Sequence, residues 1–262
     1  MPGEPGVAGP RGPGNRGGLY PNPPNRPTVS DRIPTGCTSV DELLGGGFER
    51  GAVTQLYGPP ASGKTNLALA AAVEVAAGGG TALYIDTEGL SVDRLEQLAS
   101  ARAGGELSVE GIASRIIITD ALDFGEQEEA VRDAAEFAGQ VDLVVLDSAT
   151  GFYRLERDDG DEGATLRAVT RQVTHLLSLA RRHDLAVVIT NQVFSDPDSD
   201  SERTRPLGGH TLTHWSGTVV RVERFRGGNR RATLEKHRSM AAGETARFRI
   251  TGSGLEAVEE PV

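Results

Sequence analysis

The chain has one cysteine, Cys37, one tryptophan, Trp215, and only two lysines, Lys64 and Lys236, in 262 residues. A single cysteine excludes an intrachain disulfide and fits a protein kept in a reducing cytoplasm. No apolar run reaches the ~18 residues that a membrane-spanning helix requires. The N-terminus has no basic stretch followed by an apolar one, so no secretory leader is expected. Lysine is replaced by arginine, which occurs 25 times, and Asp+Glu outnumber Lys+Arg by 37 to 27, a net charge of −10. Such a surface resembles that of proteins from salt-loving organisms; GC-rich codon usage also favours arginine, and the two explanations are compatible. In molar salt the Debye length falls to about 3 Å, so the acidic balance does not exclude a nucleic-acid partner.

The hydrophobic fraction of 37% is low but sufficient for a core, and the length suits one large α/β domain. Residues 1–31 are dominated by Gly, Pro, Asn and Arg. A segment so poor in apolar side chains cannot offset its ordering entropy, and a disordered tail is expected there. From residue 32 to 262 apolar strands alternate with helices. Thr38 to Leu44 reads as a short helix, with Thr38 and Asp41 spaced for an N-terminal cap. Strands are expected at Ala52–Tyr57, Thr81–Asp86, Ile116–Ile118, Val141–Ser148 and Leu185–Gln192. Helices are expected after Lys64, over Ser91–Arg102, Glu126–Ala138 and Ala164–Arg182. Continuous apolar strands between helices predict a mostly parallel sheet covered on both faces. The tail, from Thr218 on, changes to hairpin spacing and predicts an antiparallel β extension.

The chain is organised around Gly58-Pro59-Pro60-Ala61-Ser62-Gly63-Lys64-Thr65, which is G-x-x-x-x-G-K-[ST] between a strand and a helix. Such a turn points successive backbone N–H groups and a helix N-terminus into one concavity, which holds a polyphosphate. Lys64 would reach the β- and γ-phosphates, and the Thr65 hydroxyl would ligate Mg²⁺, so ATP with Mg²⁺ is the expected cofactor. Asp147 ends an apolar strand as a Walker B acid does, placed to hold Mg²⁺ through water. Glu88 follows the end of another strand, where it either orients and deprotonates an attacking water or is a solvated turn carboxylate. Gln192 ends a third strand and either senses the γ-phosphate through its amide or simply begins a loop. The five histidines show no metal-ligand spacing except His210 and His214, and no metal besides Mg²⁺ is expected.

Together with Tyr84-Ile85-Asp86-Thr87-Glu88-Gly89, Leu146-Asp147-Ser148, Ile189-Thr190-Asn191-Gln192-Val193 and Thr204-Arg205-Pro206-Leu207-Gly208-Gly209-His210, the phosphate loop comes in the order and spacing of RecA-type recombinases. The resemblance covers Ile33 to about Val258 and is strongest to the short archaeal paralogues of the RadA recombinase. It implies a RecA-like fold with ATP and DNA binding in homologous recombination and DNA repair. It also implies weak ATPase activity, no strand exchange alone, and partnership with RadA and a Holliday-junction resolvase. Residues 1–31 are too short and too polar for a helix-hairpin-helix domain and lack a Phe-x-x-Ala plug, so long homo-filaments are not expected. A fully active strand-exchange ATPase, or a RecA-like ATPase outside recombination, is the alternative, because Glu88, Asp147 and Gln192 are all in place.

By the same resemblance two loops would touch single-stranded or branched DNA. The first, 154–162, sets Arg154 and Arg157 against five acids, a net of −3; the second, 195–205, sets Arg203 and Arg205 against four, a net of −2. Phosphate contact needs positive charge, so both are weak grips. The arginines of the C-terminal hairpin, Arg224, Arg226, Arg230 and Arg231, with Arg221 and Arg238 nearby, form the alternative basic surface. Trp215 and Phe194 can stack on bases, although a buried place in the core is the simpler expectation for Trp215.

Overall fold

The computed structural model describes residues 32–153, 162–194 and 205–259. The tail 1–31 and Arg154, Arg157 and Arg203 lie outside the described residues. The fold opens with β1 (Arg32–Ile33), α1 (Thr38–Leu43) and β2 (Phe48–Glu49). The cap expected from Thr38 and Asp41 does not form. The helix already includes Thr38, Cys37 holds the cap position without a side-chain bond, and Asp41 Oδ1 instead accepts from the Thr35 amide at 2.7 Å.

The phosphate-loop unit follows as β3 (Val53–Tyr57) and α2 (Lys64–Ala77), then β4 (Ala82–Asp86), α3 (Val92–Arg102), α4 (Val109–Ala113), β5 (Ile116–Asp120) and α5 (Phe124–Phe137). Next come β6 (Leu143–Asp147), α6 (Glu162–His183), β7 (Ala186–Asn191), the short pair β8 (Val193–Phe194) and β9 (Arg205–Pro206), and α7 (Gly209–Trp215). The C-terminal part is β10 (Thr218–Arg224), β11 (Arg230–Lys236), β12 (Thr245–Thr251) and β13 (Gly254–Ala257). The spacing missed α4 and α7, which are only 5 and 7 residues long and so carry little periodicity.

Nine strands form one sheet in the order β13-β12-β11-β10-β3-β7-β6-β4-β5. The six from β10 to β5 run parallel, and β11 to β13 extend the sheet antiparallel beyond β10. This is the mostly parallel sheet with an antiparallel extension that the sequence predicts. Alternate residues of each central strand face opposite layers. Tyr84, Val145 and Val188 join the core under α2, α3 and α4, whereas Ile85, Val144, Leu146 and Ile189 join the core under α5 and α6. Burial on both faces is why these strands read as unbroken apolar runs. Helix α2 packs its alanines against the sheet: Ala68, Ala71, Ala72 and Ala76 are all inaccessible to solvent. Small side chains let it approach closely, and alanine is the strongest helix former. Helices α3, α4 and α5 begin at Ser91, Ser108 and Asp123, each of which accepts an N–H from three residues on.

At the amino ends of the strands Arg50 and Asp142 form an ion pair of 3.0 Å, with only 7% and 10% of their side chains exposed. Asp142 also accepts from the Thr81 amide, and Arg50 donates to the Asp184 carbonyl, so the pair ties together the approaches to β3, β4 and β7. Removing one partner leaves a buried uncompensated charge. Asp142→Ala is expected to lose about 3–5 kcal/mol of stability in urea unfolding, and Arg50→Met with Asp142→Leu to lose much less. Equal losses in the two variants would show that burial, not pairing, dominates there.

Candidate nucleotide site

Residues 58–63 form the turn between β3 and α2 at the carboxyl edge of the parallel strands. In such sheets that edge is where ligands bind. Two glycines make the turn possible. Gly63 caps α2 with φ +110°, in the region that favours glycine, and a Cβ on Gly58 would lie 2.0 Å from the Val222 carbonyl oxygen. Lys64, 8% exposed, donates from Nζ to the carbonyls of Gly58 at 2.9 Å and Pro59 at 3.2 Å. Burial pushes its pKa down, against the charges of Glu88 and Asp147, which raise it. Ser62 Oγ is fully buried and has no hydrogen-bond partner. A buried orphan hydroxyl, an ammonium and a helix N-terminus in one turn fit a polyphosphate.

Asp147 lies at the end of β6, level with Asp86 at the end of β4. It is 2% exposed. Tyr84 Oη donates to its Oδ2 at 2.6 Å, and Thr190 Oγ1 donates to its Oδ1. Burial raises the Asp147 pKa; the hydroxyls of Thr190, Tyr84 and Thr65 pull it back, and Glu88 adds to the rise. Thr65 and Asp147 are thus neighbours, as a shared divalent cation requires. The peptide bond from Asp147 to Ser148 is cis.

Glu88 and Gln192, separated by 104 positions, meet directly: Gln192 Nε2 donates to Glu88 Oε1 at 3.0 Å. The same oxygen accepts from Ser148 Oγ at 2.8 Å. The turn that carries Glu88 is held by Asp86, whose Oδ1 accepts the amides of Glu88 and Gly89 at 3.1 Å each and whose Oδ2 accepts that of Leu90. Sequence reasoning quoted Asp86, Tyr84, Ser148 and Thr190 within motifs but gave none of them a role. The available signal was polar residues at the ends of apolar strands, with Tyr84 and Asp86 two apart on one face of β4.

Beneath Gln192, Thr150 Oγ1 donates to Asn191 Oδ1 at 2.8 Å, and Asn191 Nδ2 donates to the Leu207 carbonyl at 2.8 Å. The third residue after β6, the end of β7 and the residue after β9 are therefore joined at one buried asparagine. This joins the chain on the near side of 154–161 to both ends of 195–204.

Of the proposed DNA-contacting arginines, Arg205 is described only through its backbone, in β9. Arg226 is exposed at the hairpin tip. Arg231 pairs with Glu223 at 2.9 Å and lies 5.3 Å from the Phe225 ring centroid. Arg221 pairs with Glu223 and Glu235, and Arg238 lies 3.7 Å from Glu49. Arg230, half-buried, lies against Gly63. Trp215, expected in the core, is 39% exposed, edge-on to His214 at 5.2 Å between centroids. It ends a seven-residue helix whose buried residue is Leu212, so its ring falls outside the packed face. No group of three or more metal-ligating side chains occurs among the described residues.

Asp147→Asn removes a charge that burial penalises and keeps an oxygen for a hydroxyl donor. The ligand-free variant is expected to melt about 2–4 °C above the wild type, the shift that ~1 kcal/mol gives in a chain of this size. Circular dichroism in molar KCl measures it. A lower melting temperature would mean that the hydroxyl bonds outweigh the burial of the charge.

A family model described as Rad51 matches residues 26–258. The "DNA repair and recombination protein RadB" of Halobacterium salinarum (strain ATCC 29341 / DSM 671 / R1) is 63% identical over 226 residues, 86% of this chain and 94% of that one. Its counterpart from Methanococcoides burtonii is 44% identical over 230 residues, covering 87% of this chain and 99% of its own. A solved structure described as "Crystal structure of the RadB recombinase" superposes with a TM-score of 0.73 at 38% identity, over 87% of this chain and all of that one. The Halobacterium match is consistent with the salt-adapted composition. The chain belongs to the Rad51 family and, within it, to the RadB proteins.

Proposed function

We propose that this chain is an ATP- and DNA-binding protein of homologous recombination and repair, in which nucleotide serves chiefly as a conformational ligand. The observation that carries the reading is the contact of Glu88 with both Ser148 and Gln192. It supports a terminal phosphate bound near Glu88 being sensed, one side chain away, by the segment entering 195–204. Residues 58–65 hold the polyphosphate: their amides and Ser62 Oγ donate to it, and Lys64 exchanges the Gly58 and Pro59 carbonyls for the β- and γ-phosphates. Thr65 and Asp147 would hold Mg²⁺ between them, Thr65 through its hydroxyl and Asp147 through its carboxylate. When bound, Mg²⁺-ATP supplies the phosphoanhydride and the cation that polarises it. Glu88 is the base for a water, with Oε1 fixed by two donors. Gln192 answers to the occupancy of the site by keeping or leaving Glu88. Its carbonyl accepts the Leu207 amide at 2.9 Å, which passes that choice to the chain returning from 195–204.

Weak turnover and no strand exchange alone follow from the DNA side. Both loops have a net negative charge, and three of the arginines around the hairpin lie against carboxylates. Such a protein acts with other proteins, and the resemblance names the RadA recombinase and a Holliday-junction resolvase as those partners. The competing reading, a DNA-stimulated strand-exchange ATPase, draws on the convergence of Lys64, Asp147, Glu88 and Gln192.

Steady-state ATP hydrolysis in molar KCl, with and without single-stranded DNA, separates the two. The expected result is turnover near that of Lys64→Ala with no DNA stimulation, while calorimetry shows ATP bound by the wild type and about 10–100-fold more weakly by Lys64→Ala, as loss of a charged hydrogen-bonding group implies. Many-fold stimulation by DNA, abolished in Lys64→Ala, would replace this reading with the second.

A further inference from the structure

Strand β10 lies parallel to β3 with Arg221 opposite Tyr57, so the hairpin beyond it runs alongside the phosphate loop. Across that hairpin Arg224 is paired with Arg230. Like charges directly opposite in a sheet are destabilising. Arg230 packs on Gly63, with its Cγ and Nε each 3.7 Å from where a Cβ on Gly63 would stand. Its Nη1 donates to the Gly228 and Asn229 carbonyls, but its Nε is buried without a partner. Neither Arg224 nor Arg230 pairs with a carboxylate among the described residues, whereas Arg221 and Arg231 in the same hairpin do. Burial first, and then the charge of Arg224, push the Arg230 pKa down. Of the hairpin arginines without a carboxylate partner among the described residues, Arg224, Arg226 and Arg230, it is Arg230 that lies beside the phosphate loop, with an idle donor and with Arg224 opposite it. Such an arrangement calls for an anion.

We propose that Arg230, backed by Arg224, forms part of the phosphate-binding site and supplies a guanidinium from the same chain to the polyphosphate held by residues 58–65. The inference rests on the reading of 58–65 as an ATP site. It also answers a charge problem in that site. The single ammonium of Lys64 already faces the two carboxylates of Glu88 and Asp147. A polyphosphate brings several more negative charges, which one Mg²⁺ cancels only in part. A guanidinium touching the residue that caps α2 adds a second full positive charge beside the loop. Arg230 then serves nucleotide, not the DNA backbone.

Calorimetric titration of Mg²⁺-ATP, Mg²⁺-ADP and adenosine into wild type, Arg230→Ala, Arg230→Gln, Arg224→Gln and Lys64→Ala tests this. Arg230→Ala is expected to weaken ATP and ADP about tenfold while adenosine, which has no phosphate, stays within about twofold. Arg224→Gln gives a smaller loss, about two- to threefold, in the same two ligands. If Arg230→Ala does not fold by circular dichroism, Arg230→Gln, which keeps the packing on Gly63, carries the same comparison. ATP affinity within about twofold of wild type in the Arg230 variant overturns the proposal; loss in Lys64→Ala alone then leaves the reading of 58–65 standing without it. Equal weakening of ATP and adenosine also overturns it, by showing a structural role. So does unchanged ATP affinity with weaker binding of a fluorescent single-stranded oligonucleotide, which assigns the guanidinium to DNA phosphate.

Discussion

A carboxylate buried at the centre of a sheet has to be compensated by its neighbours, and much of the site follows from how Asp147 is compensated. Burying an ionised acid without partners is prohibitive. Here Tyr84 from β4, Thr190 from β7 and Thr65 from α2 turn hydroxyls toward it, so three elements are fixed around one side chain. Tyr84 is itself fully buried, and burial followed by the Asp147 charge drives its pKa well up, which keeps the phenol a proton donor. The arrangement still leaves the acid short of the positive charge that a divalent cation would bring.

The same strand ends make the link from phosphate to the far loops short. Because β6, β4 and β7 are adjacent or nearly so, residues distant in sequence need only one side chain to meet. Asp86 shapes the turn that delivers Glu88, Ser148 follows Asp147, and Gln192 follows Asn191. Each is the residue at, or within two of, a strand terminus. Coupling through such a chain requires an element with two arrangements, and the Glu88–Gln192 contact is the natural one: its acceptor oxygen is shared, so a competing ligand can release the amide without unfolding anything. Asn191 is different. Fully buried and bonded on both sides, it is a fixed anchor next to Gln192.

What could be read from the sequence follows from physics. The turn between β3 and α2 was legible because its signal is local: glycine, lysine and threonine at fixed spacing between a strand and a helix. The parallel sheet was legible because two-sided burial produces continuous apolar runs. Local signals failed where tertiary context decides. Asp41 matched a cap by spacing, yet the Thr35 amide is the donor that reaches it. Trp215 was expected inside because large aromatics usually are, but a seven-residue helix has room for only a narrow buried face. The hairpin arginines read as one basic surface; cross-strand register instead sets Arg231 and Arg221 on acids and Arg230 on Gly63. Strand register is not visible in composition, and it separates a neutralised arginine from a free one.

The two lysines show the same rule from the other side. In a chain where arginine has otherwise taken every cationic position, Lys64 and Lys236 both place Nζ on backbone carbonyls. Lys236 donates to the carbonyls of Thr213, His214 and Ser216, the last turn and end of α7, at 2.7, 3.2 and 2.8 Å. Three acceptors converging on one point suit a compact ammonium with three donors; a planar guanidinium spreads its donors in a fork and fits a carboxylate or phosphate edge better. The same compactness lets Lys64 sit inside the closed loop with Nζ on two carbonyls. Surface composition therefore says where the protein is solvated, and the exceptions to it mark where backbone geometry, not solvent, selects the side chain.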